Sequence, residues 1–594
     1  MKRILHACAF VIGMAGGAMA QQAADAVAPE PAGAGYAQTS QWLVPAQQAK
    51  TAGQPFEAQD WMVAAANPLA VEAGARILSD GGTAADAMVA VQAVLGLVEP
   101  QSSGLGGGAF LVWYDAESGQ LTTLDGRETA PMAATPRLFL NAEGAPLDFF
   151  EAVVGGRSVG VPGTPAMMKA AHDRWGGRDW AGLFDDAIGL AEDGFEVSPR
   201  LASMVAFDAV RLTRFGPTRD YFFADGQLPE VGQTLRNPDY AATLRVLAKR
   251  GVDPFYTGAI ARDIVRTVRT APGNPGRLSE ADMALYRVKE RAPVCVDYRG
   301  HDVCGMGPPS SGGLTVGQIL GLLENHDLPG LGPESPEAWR LIGDASRLAF
   351  ADRGRYMADS DFVPVPTKGL IEKDYLARRA ELLAGDDALP EVQPGAPAFD
   401  HALNWGQSRS FERPSTSHIS IVDSHGNALS MTTTIENAFG SRLMVRGFML
   451  NNELTDFSFR SHEDGRAVAN AVAPGKRPRS SMAPTIVLKD GRPALLVGSP
   501  GGSRIIGYVA KTIIAHLDWK MDVQQAVSLP HLVNRFGVYD VETGSAAEAL
   551  AAPLADMGYE VNRRVLNSGL HAISLGAALK GGADPRREGV AFGE

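Results

Sequence analysis

Alternating polar and apolar residues predict a β-hairpin in the last third of the chain. Polar and apolar residues alternate over residues 417–423, with isoleucine at the third and fifth positions, which is typical of a half-buried strand. The segment Ala428–Thr434 is rich in threonine and predicts the partner strand. Between the two, the loop Ser424-His425-Gly426 has glycine third, where a three-residue hairpin loop requires a left-handed residue. The pattern therefore predicts a tight hairpin over residues 417–434.

Thr416 stands at the start of this hairpin, directly after a segment rich in proline, glycine and aspartate over residues 385–415. That composition predicts an exposed, poorly ordered segment in which a backbone break is easily accommodated. The turn pairs Asp423 with Asn427 and so places Thr416 opposite Thr434, within the one-residue slip that a bulge allows. If the bond before Thr416 were cut, its hydroxyl would lie beside its own α-amine, whose pKa of about 8 suits a general base. The alternative is a plain hairpin with threonine on an exposed face.

Apolar periodicity predicts a mainly helical body before this hairpin. Asn67 and Pro68 begin a helix that ends at Ser79, and Thr83 caps a second helix over Ala84–Val98. The second helix is apolar on all sides, so we expect it to be buried centrally. Further helices are predicted at residues 165–175, 180–193, 238–249, 257–270, 280–285, 313–324, 337–357, 504–514 and 522–528. Strands are predicted at residues 109–114, 121–125, 485–489, 494–498, 571–579 and 589–592.

Composition excludes several classes of protein. The chain has 594 residues, of which 45% are hydrophobic and 20% charged, enough for a large core in one big domain or in two to four smaller ones. The net charge of -13 and the lack of a basic run argue against a nucleic-acid partner. Beyond the first 20 residues, no apolar run approaches the roughly 18 residues that a membrane span requires.

The first 20 residues have the composition of a secretory signal peptide. Lys2 and Arg3 precede an apolar run, and Ala18-Met19-Ala20 forms a small-residue cleavage site. Cys8 lies inside this leader, too early for a lipid-anchored cysteine. Residues 21–60 are rich in alanine, glutamine and proline and predict a flexible arm. We therefore expect a periplasmic or secreted protein.

Cys295 and Cys304 are the other two cysteines of the chain. A two-residue turn at Arg299-Gly300 pairs them at a non-hydrogen-bonded position, where side chains on neighbouring strands come closest. An oxidising compartment favours a disulfide there over two free thiols. The role is structural in either case, because a metal site would require more ligands nearby.

Gly501 and Gly502 follow a predicted strand and precede a predicted helix. Bare N–H groups at the positive end of a helix form a natural oxyanion hole. The same turn has the chemistry of a phosphate cradle, but the lysine that a P-loop requires is missing. A third interpretation is an ordinary turn.

Two groups of polar residues have the chemistry to bind an α-amino acid. Arg127, with the hydroxyls of Ser480 and Ser481, suits a carboxylate. Acidic side chains suit an ammonium group; they are Glu436, Glu453 and Asp456. Each group taken singly is better explained as a surface ion pair or a loop cap, and only together do they describe a pocket for an α-amino acid head group. A Ser-His-Asp triad through His418 and Asp423 is disfavoured, because their opposite parity places them on opposite faces of the strand.

Several motifs together resemble the γ-glutamyltransferases. They are Asn67 to Ala70, Gly104 to Phe110, Arg127-Glu128, Pro308 to Gly313, Thr416 to Asp423, the 451–457 segment, Pro478 to Pro484 and Gly498 to Arg504. They occur in the family's order, and the similarity extends from about residue 62 to residue 594. The chain is thus identified as a member of that family from its sequence.

The resemblance implies an α+β fold, the four-layer αββα sandwich of the N-terminal-nucleophile hydrolases. It implies self-cleavage between Ser415 and Thr416 into a large subunit, residues 61–415, and a small subunit, residues 416–594. Thr416 then matches the nucleophile and Thr434 the threonine that hydrogen-bonds it. Gly501 and Gly502 match the oxyanion hole.

The remaining matches describe the substrate site. Arg127, Ser480 and Ser481 match the α-carboxylate site, and Glu453 and Asp456 the α-ammonium site. The implied reaction passes a γ-glutamyl group from glutathione or a similar donor to Thr416, then to water, an amino acid or a dipeptide. No metal or organic cofactor is implied.

Two departures from the family pattern qualify this expectation. Glu436 stands where well-studied members usually have asparagine, and a third carboxylate there raises the pKa of its neighbours or shifts donor preference. The stretch after Asp456 is shorter than in members with a lid loop and has no tyrosine over residues 457–472. This predicts an open site that tolerates bulky leaving groups and favours hydrolysis.

Two rival functions fit part of the pattern. A glutaryl (cephalosporin side-chain) acylase on the same fold would keep Thr416 without a strict need for an α-ammonium group. A periplasmic peptide-binding protein that has lost catalysis would remain one uncut chain.

Overall fold

Two seven-stranded antiparallel sheets form the centre of the structure, a computed structural model that describes residues 40–401, 404–408 and 415–594. The predicted signal peptide, the first part of the predicted arm and residues 409–414 lie outside the described residues. Among the helices that are described, none has the length and hydropathy to cross a bilayer.

The first sheet contains the predicted hairpin at its centre. Its strands, in spatial order, are Val590–Gly593, Met62–Ala65, Ser417–Val422, Ala428–Thr434, Gly108–Tyr114, Leu121–Gly126 and Lys289–Arg291. The second sheet packs face to face against it. Its strands, in order, are Phe56–Ala58, Leu579–Ala583, His571–Leu575, Arg492–Gly498, Thr485–Lys489, His301–Gly305 and Val294–Tyr298.

Helices cover the outer face of each sheet. The first sheet buries its outer face against Pro68–Ser79, Ala84–Val98, Thr164–Trp175, Asp185–Asp193, Pro199–Leu212, Gly216–Phe222, Pro238–Arg250 and Ala259–Arg269. The second does so against Gly312–Leu323, Pro336–Tyr356, Lys373–Ala380, Ile505–Leu517 and Val523–Ser528. A smaller apolar cluster lies between the two sheets. The result is the expected α+β fold with four αββα layers.

The hairpin has the register that its turn predicts. Ser417 pairs with Thr433 and Val422 with Ala428, so that Thr416 and Thr434 lie opposite each other. Gly426 has φ +84, the left-handed conformation that the loop requires. The expectation of a half-buried strand is wrong, because residues 417–422 are buried on both faces. The second sheet covers the face that carries His418, which packs against Gly498.

The N-terminal arm is ordered over most of its described part, so the prediction of a flexible arm over 21–60 is wrong there. Residues 44–51 form a helix, and Phe56–Ala58 adds an edge strand to the second sheet. Trp42 packs on Phe592 with ring centroids 5.0 Å apart. Composition alone did not reveal these contacts, because they join residues more than 500 positions apart.

Most predicted helices occur within a few residues of their predicted limits, but several helices were missed. The longest of those missed are Val44–Thr51, Pro199–Leu212, Gly216–Phe222 and Lys373–Ala380. The predicted strand 571–579 is shorter than expected: it ends at Leu575, and a turn leads into a second strand, so that His571–Leu575 pairs with Leu579–Ala583. Cys295 and Cys304 face each other across a hairpin and form a disulfide.

The segment predicted to be poorly ordered is tethered over residues 385–401. It contains no helix or strand, yet Tyr356 donates a hydrogen bond to the carbonyl of Gly395 at 2.8 Å. Arg347 donates to the carbonyls of Leu389 and Pro390 at 2.8 and 2.6 Å. Poor order is therefore not borne out over this stretch, because side chains of the helix Pro336–Tyr356 satisfy its backbone.

Candidate active site

Thr416 lies at the entry to the central hairpin with its hydroxyl directed at the preceding peptide bond. Its Oγ1 donates to the carbonyl oxygen of Ser415 at 2.6 Å and lies 3.2 Å from Oγ1 of Thr434. Thr434 Oγ1 lies 2.8 Å from the same carbonyl oxygen. The structure is thus that of the uncut chain, with two hydroxyls converging on the bond between Ser415 and Thr416.

Two close backbone contacts hold this pair in place. The hydroxyl of Ser415 donates to the carbonyl of Gln101 in the loop after helix Ala84–Val98. Gly107, in the glycine-rich loop that follows, lies under the end of the hairpin. A Cβ there would be 2.0 Å from the carbonyl oxygen of Thr434. The glycine run at 104–108 therefore permits close backbone approach, with no role in phosphate binding required to explain it.

A narrow cleft opens in front of Thr416. Its lining contains nine of the ten residues predicted from the sequence to act on or bind substrate, together with Met482 and Ile505; the nine are Arg127, Thr416, Thr434, Glu436, Glu453, Asp456, Ser480, Ser481 and Gly502. The tenth, Gly501, precedes Gly502 in the turn beside the cleft. The structure therefore brings together residues that are up to about 380 positions apart in the sequence.

Arg127 pairs with the acids that were predicted to bind an ammonium group. It ends the strand Leu121–Gly126 and is only 1% exposed. Its guanidinium forms ion pairs with Glu453 and, at 2.5 Å, with Asp456. It also donates to the carbonyls of Pro478 and Arg479. In the uncut chain the charge of Arg127, from the predicted carboxylate site, is therefore balanced by Glu453 and Asp456, from the predicted ammonium site.

Glu128 adds a further buried acid behind this pair. It is fully buried, and burial raises its pKa to about 8 even though Arg127 opposes the shift. Burial and the neighbouring carboxylates of Glu128 and Glu436 raise the pKa of Glu453 well above its ordinary value. The cleft thus has more carboxyl groups than one guanidinium can balance, and they retain a proton at neutral pH.

Glu453 and Asp456 lie on a single turn of 3₁₀ helix, Glu453–Asp456. Asn451 fixes the start of that turn by accepting a hydrogen bond from the N–H of Glu453 at 3.0 Å. Glu436 reaches the same region from the loop after the hairpin, where it has φ +75. The side-chain amide of Asn452 donates to it. All three predicted acids therefore face the cleft together.

Ser480 and Ser481 lie on the loop before the strand Thr485–Lys489 and are each 2% exposed. The N–H and hydroxyl of Ser311 both donate to the carbonyl of Ser480, at 2.8 and 2.6 Å. Arg353 donates to the hydroxyl of Ser481 at 2.7 Å. These contacts fix the loop that brings Ser480 and Ser481 to the wall of the cleft.

Gly501 and Gly502 form the turn between the strand Arg492–Gly498 and the helix Ile505–Leu517. Their φ angles are +139 and +58, a region that favours glycine. The turn lies at the N-terminal end of the helix, where N–H groups lack helical partners. Gly502 lines the same cleft as Thr416, and the role of this turn as an oxyanion hole stays a prediction.

Three residues of the site were not assigned a role from the sequence. Arg353 lies within the long helix Pro336–Tyr356. Nothing in its sequence position indicates that the fold brings it to Ser481. Glu128 directly follows Arg127 in the sequence, but the sequence did not indicate that its carboxyl group is buried. Asn452 lies in the 451–457 motif, but its contact with Glu436 was not predicted.

His418 and Asp423 do not meet, as the strand parity predicted. His418 lies between the sheets and hydrogen-bonds the hydroxyls of Thr432 and Ser420 at 2.9 and 3.0 Å. Burial lowers its pKa well below the usual value, so it is neutral. Asp423 instead accepts from the N–H of Ala84 and closes the hairpin loop.

Residues 457–472 contain a short hairpin, with strands His462–Glu463 and Arg466–Ala467. None of these residues lines the cleft. Thr416 is nonetheless only 4% exposed. An open site in the cleaved protein stays a prediction.

Comparison with known proteins places this geometry in a family. The family model described as "Gamma-glutamyltranspeptidase" matches residues 70–594. The "Glutathione hydrolase proenzyme" of Bacillus subtilis (strain 168) is 38% identical over 548 residues, covering 90% of this chain and 92% of that protein. The "Acylase ACY 1 proenzyme" of Pseudomonas sp. (strain SE83) is 34% identical over 547 residues, covering 90% and 94%. The crystal structure of cephalosporin acylase from Bacillus halodurans superposes with a TM-score of 0.81 at 27% identity, covering 91% of this chain and 97% of that one. The chain belongs to the γ-glutamyltranspeptidase family.

Proposed function

We propose that this protein is a precursor that cuts itself between Ser415 and Thr416 and then acts as a γ-glutamyltransferase with glutathione hydrolase activity. The observation that carries the proposal is the convergence of the Thr416 and Thr434 hydroxyls on the carbonyl of Ser415, in a cleft that contains one arginine and several acids. This arrangement supplies a nucleophile, a polarised acyl group and a site for a zwitterionic head group.

In the maturation step, Thr416 Oγ attacks the carbonyl carbon of Ser415 and transfers the acyl group from nitrogen to oxygen. The C–N bond breaks, and the nitrogen becomes the free α-amine of Thr416. Water then hydrolyses the ester and leaves a carboxylate on Ser415. The products are a large subunit that ends at Ser415 and a small subunit of residues 416–594. The glutathione hydrolase relatives are proenzymes by name, which is consistent with this step.

In turnover, Thr416 Oγ attacks the γ-amide carbon of the donor, and the α-amine accepts the hydroxyl proton. The N–H groups at Gly501 and Gly502 stabilise the oxyanion. The intermediate collapses when the amine returns the proton to the leaving nitrogen, which leaves a γ-glutamyl ester on Thr416. Water releases glutamate from this ester, and an amino acid or dipeptide acceptor releases a new γ-glutamyl compound.

Recognition of the donor requires the internal ion pairs of the cleft to rearrange. The α-carboxylate of the donor competes with Glu453 and Asp456 for Arg127 and accepts from Ser480 and Ser481. The α-ammonium group then takes the position of the guanidinium beside the acids, with Glu436 as the third. We infer that the protein works in the periplasm or outside the cell, as its leader sequence indicates.

A glutaryl acylase is the second candidate, because relatives named as acylases match the chain over most of its length. Glutaryl compounds lack the α-amine that the acids of this cleft would bind. We therefore expect hydrolysis of γ-glutamyl-p-nitroanilide to exceed that of glutaryl-p-nitroanilide by about 10- to 100-fold in kcat/KM, which corresponds to the loss of one charged hydrogen-bonded contact.

The comparison of these two anilides is the experiment that tests the donor assignment. Turnover of the glutaryl compound alone would replace the γ-glutamyl proposal with the acylase. Absence of turnover of both, in folded protein that stays uncut, would favour the peptide-binding alternative.

A further inference from the structure

The turn that carries Gly501 and Gly502 lies against the ring of Tyr508. Tyr508 is on the first turn of the helix Ile505–Leu517 and is 1% exposed. Long side chains on a helix point back toward its N-terminus, and this ring covers Gly501. A Cβ at Gly501 would lie 2.7 Å from Cε2 of Tyr508. The ring and the turn are therefore in direct contact.

His531 packs against the same ring from the small three-stranded sheet that contains Leu532–Asn534. The ring centroids of Tyr508 and His531 are 4.1 Å apart with an interplanar angle of 37°. His531 is fully buried. Neither side chain lines the cleft, so both lie behind the turn and do not touch the substrate.

A directed chain of hydrogen bonds fixes the orientation of His531. Lys511 Nζ lies 3.4 Å from its Nδ1, and its Nε2 lies 2.6 Å from Oγ of Ser568. The hydroxyl of Ser568 in turn donates to Asp584. Burial and the charge of Lys511 lower the pKa of His531 well below its usual value, so the ring is neutral. These partners assign Nδ1 as the acceptor and Nε2–H as the donor.

The turn is held from its far side by polar contacts. The N–H of Arg504 donates to the carbonyl of Gly501 at 3.2 Å, and Arg504 pairs with Asp540 at 2.6 Å. Gly501 and Gly502 themselves have no side chains, and glycine backbones have wide conformational freedom. An oxyanion hole works only when its N–H groups point at the site where charge develops, because misalignment of a few tenths of an ångström weakens that hydrogen bond. The ring packed directly on Gly501 adds a restraint that these polar contacts do not supply.

We propose that Tyr508 is a positioning residue for γ-glutamyl transfer: its ring, braced by His531, holds the Gly501–Gly502 turn in the orientation that receives the oxyanion. This inference rests on the proposed function. The ring of Tyr508, and not its phenolic hydroxyl, is what holds the turn. Loss of the ring should therefore weaken stabilisation of the transition state and leave binding of the donor unchanged.

The test compares Tyr508→Leu, which removes the ring, with Tyr508→Phe, which retains it. A matched control is Val509→Ala, on the same helix and fully buried in the neighbouring apolar cluster. All three are purified as cleaved protein, and their thermal midpoints are measured. Steady-state kcat and KM are then determined for γ-glutamyl-p-nitroanilide.

We expect Tyr508→Leu to lower kcat by about 10- to 100-fold with KM within twofold of wild type, since a misaligned donor loses part of the 10²- to 10³-fold effect of a whole one. Tyr508→Phe and Val509→Ala should keep kcat within about twofold. Three results would overturn the inference: an unchanged kcat in Tyr508→Leu, an equal fall in Tyr508→Phe or Val509→Ala, or an effect confined to KM. Inactivity of the wild-type protein would instead refute the proposed function on which the inference rests.

Discussion

The hydroxyl oxygen of Thr434 lies 2.8 Å from the carbonyl oxygen of Ser415, the acyl group of the peptide bond that precedes Thr416. The N–H of Glu436 donates to that hydroxyl oxygen at 2.9 Å. The hydroxyl proton of Thr434 is therefore directed at the Ser415 carbonyl, where it polarises the carbon that Thr416 attacks.

This relationship predicts that Thr434→Ala slows self-cleavage by about 100- to 1,000-fold, the range for one lost donor in an oxyanion-type site. Thr434→Ser keeps the hydroxyl and should cleave within a few-fold of wild type. Denaturing gels of freshly expressed protein, sampled over time, measure the rate. If Thr434→Ala cleaved as fast as wild type, the polarising role would be wrong.

The buried carboxyl group of Glu128 predicts that the stability of the folded protein depends on pH. Burial raises the pKa of Glu128 to about 8, so between about pH 4.5 and pH 8 the folded protein binds more protons there than the unfolded chain. Stability attributable to this group is therefore highest below about pH 4.5 and falls as pH rises toward 8. Glu128→Gln should remove that slope.

The measurement is urea unfolding of Thr416→Ala and of Thr416→Ala with Glu128→Gln at pH 5, 7 and 8.5, since the first substitution keeps the chain in one piece. As pH rises, the free energy of unfolding of the variant with Glu128→Gln should increase relative to that of Thr416→Ala alone. A constant difference in the free energy of unfolding across this range would contradict a proton held by Glu128 in the folded protein.

Both central sheets contain strands from both sides of the Ser415–Thr416 bond, which predicts that the fragments stay together after cleavage. Ser417–Val422 lies between Met62–Ala65 and Ala428–Thr434, and Phe56–Ala58 pairs with Leu579–Ala583. Separation would therefore expose two sheet interiors. We expect one gel-filtration peak near the mass of the uncut protein from a sample that gives two bands under denaturing conditions. Two peaks in native buffer would contradict this interlocked arrangement.

The close approach at Gly107 predicts a position that tolerates no side chain. A Cβ would lie 2.0 Å from the carbonyl oxygen of Thr434, so Gly107→Ala must displace the hairpin that carries the nucleophile. We expect little soluble, cleaved protein, because overpacking at backbone costs on the order of 1–3 kcal/mol or more. Gly189→Ala is the matched control, since a Cβ there meets nothing within 4 Å. Normal yield and cleavage of Gly107→Ala would show that the loop shifts freely.

The sequence predicted local relationships well and long-range ones only through the family resemblance. The register of Thr416 and Thr434 followed from Gly426 and the two-residue period of a strand, both of which are local. The helix Pro199–Leu212 was missed, in keeping with exposed Phe207 and Val210, which blur its amphipathic pattern.

The ion pairs of the cleft were harder to predict than its residues. Arg127 and the acids were selected as opposite halves of a head-group site, yet nothing in the sequence indicates that they pair with each other across more than 320 positions. The burial that raises the pKa of Glu128, and the contact of Arg353 with Ser481, likewise arise only when distant layers pack.

The most direct test of the central claim is N-terminal sequencing of the small fragment, made together with activity measurements on Thr416→Ala and Thr416→Ser. The account predicts a fragment that begins at Thr416, an uncut and inactive alanine variant, and a serine variant that still cleaves because it retains a hydroxyl. A fully active single chain, or normal turnover by the alanine variant, would contradict it.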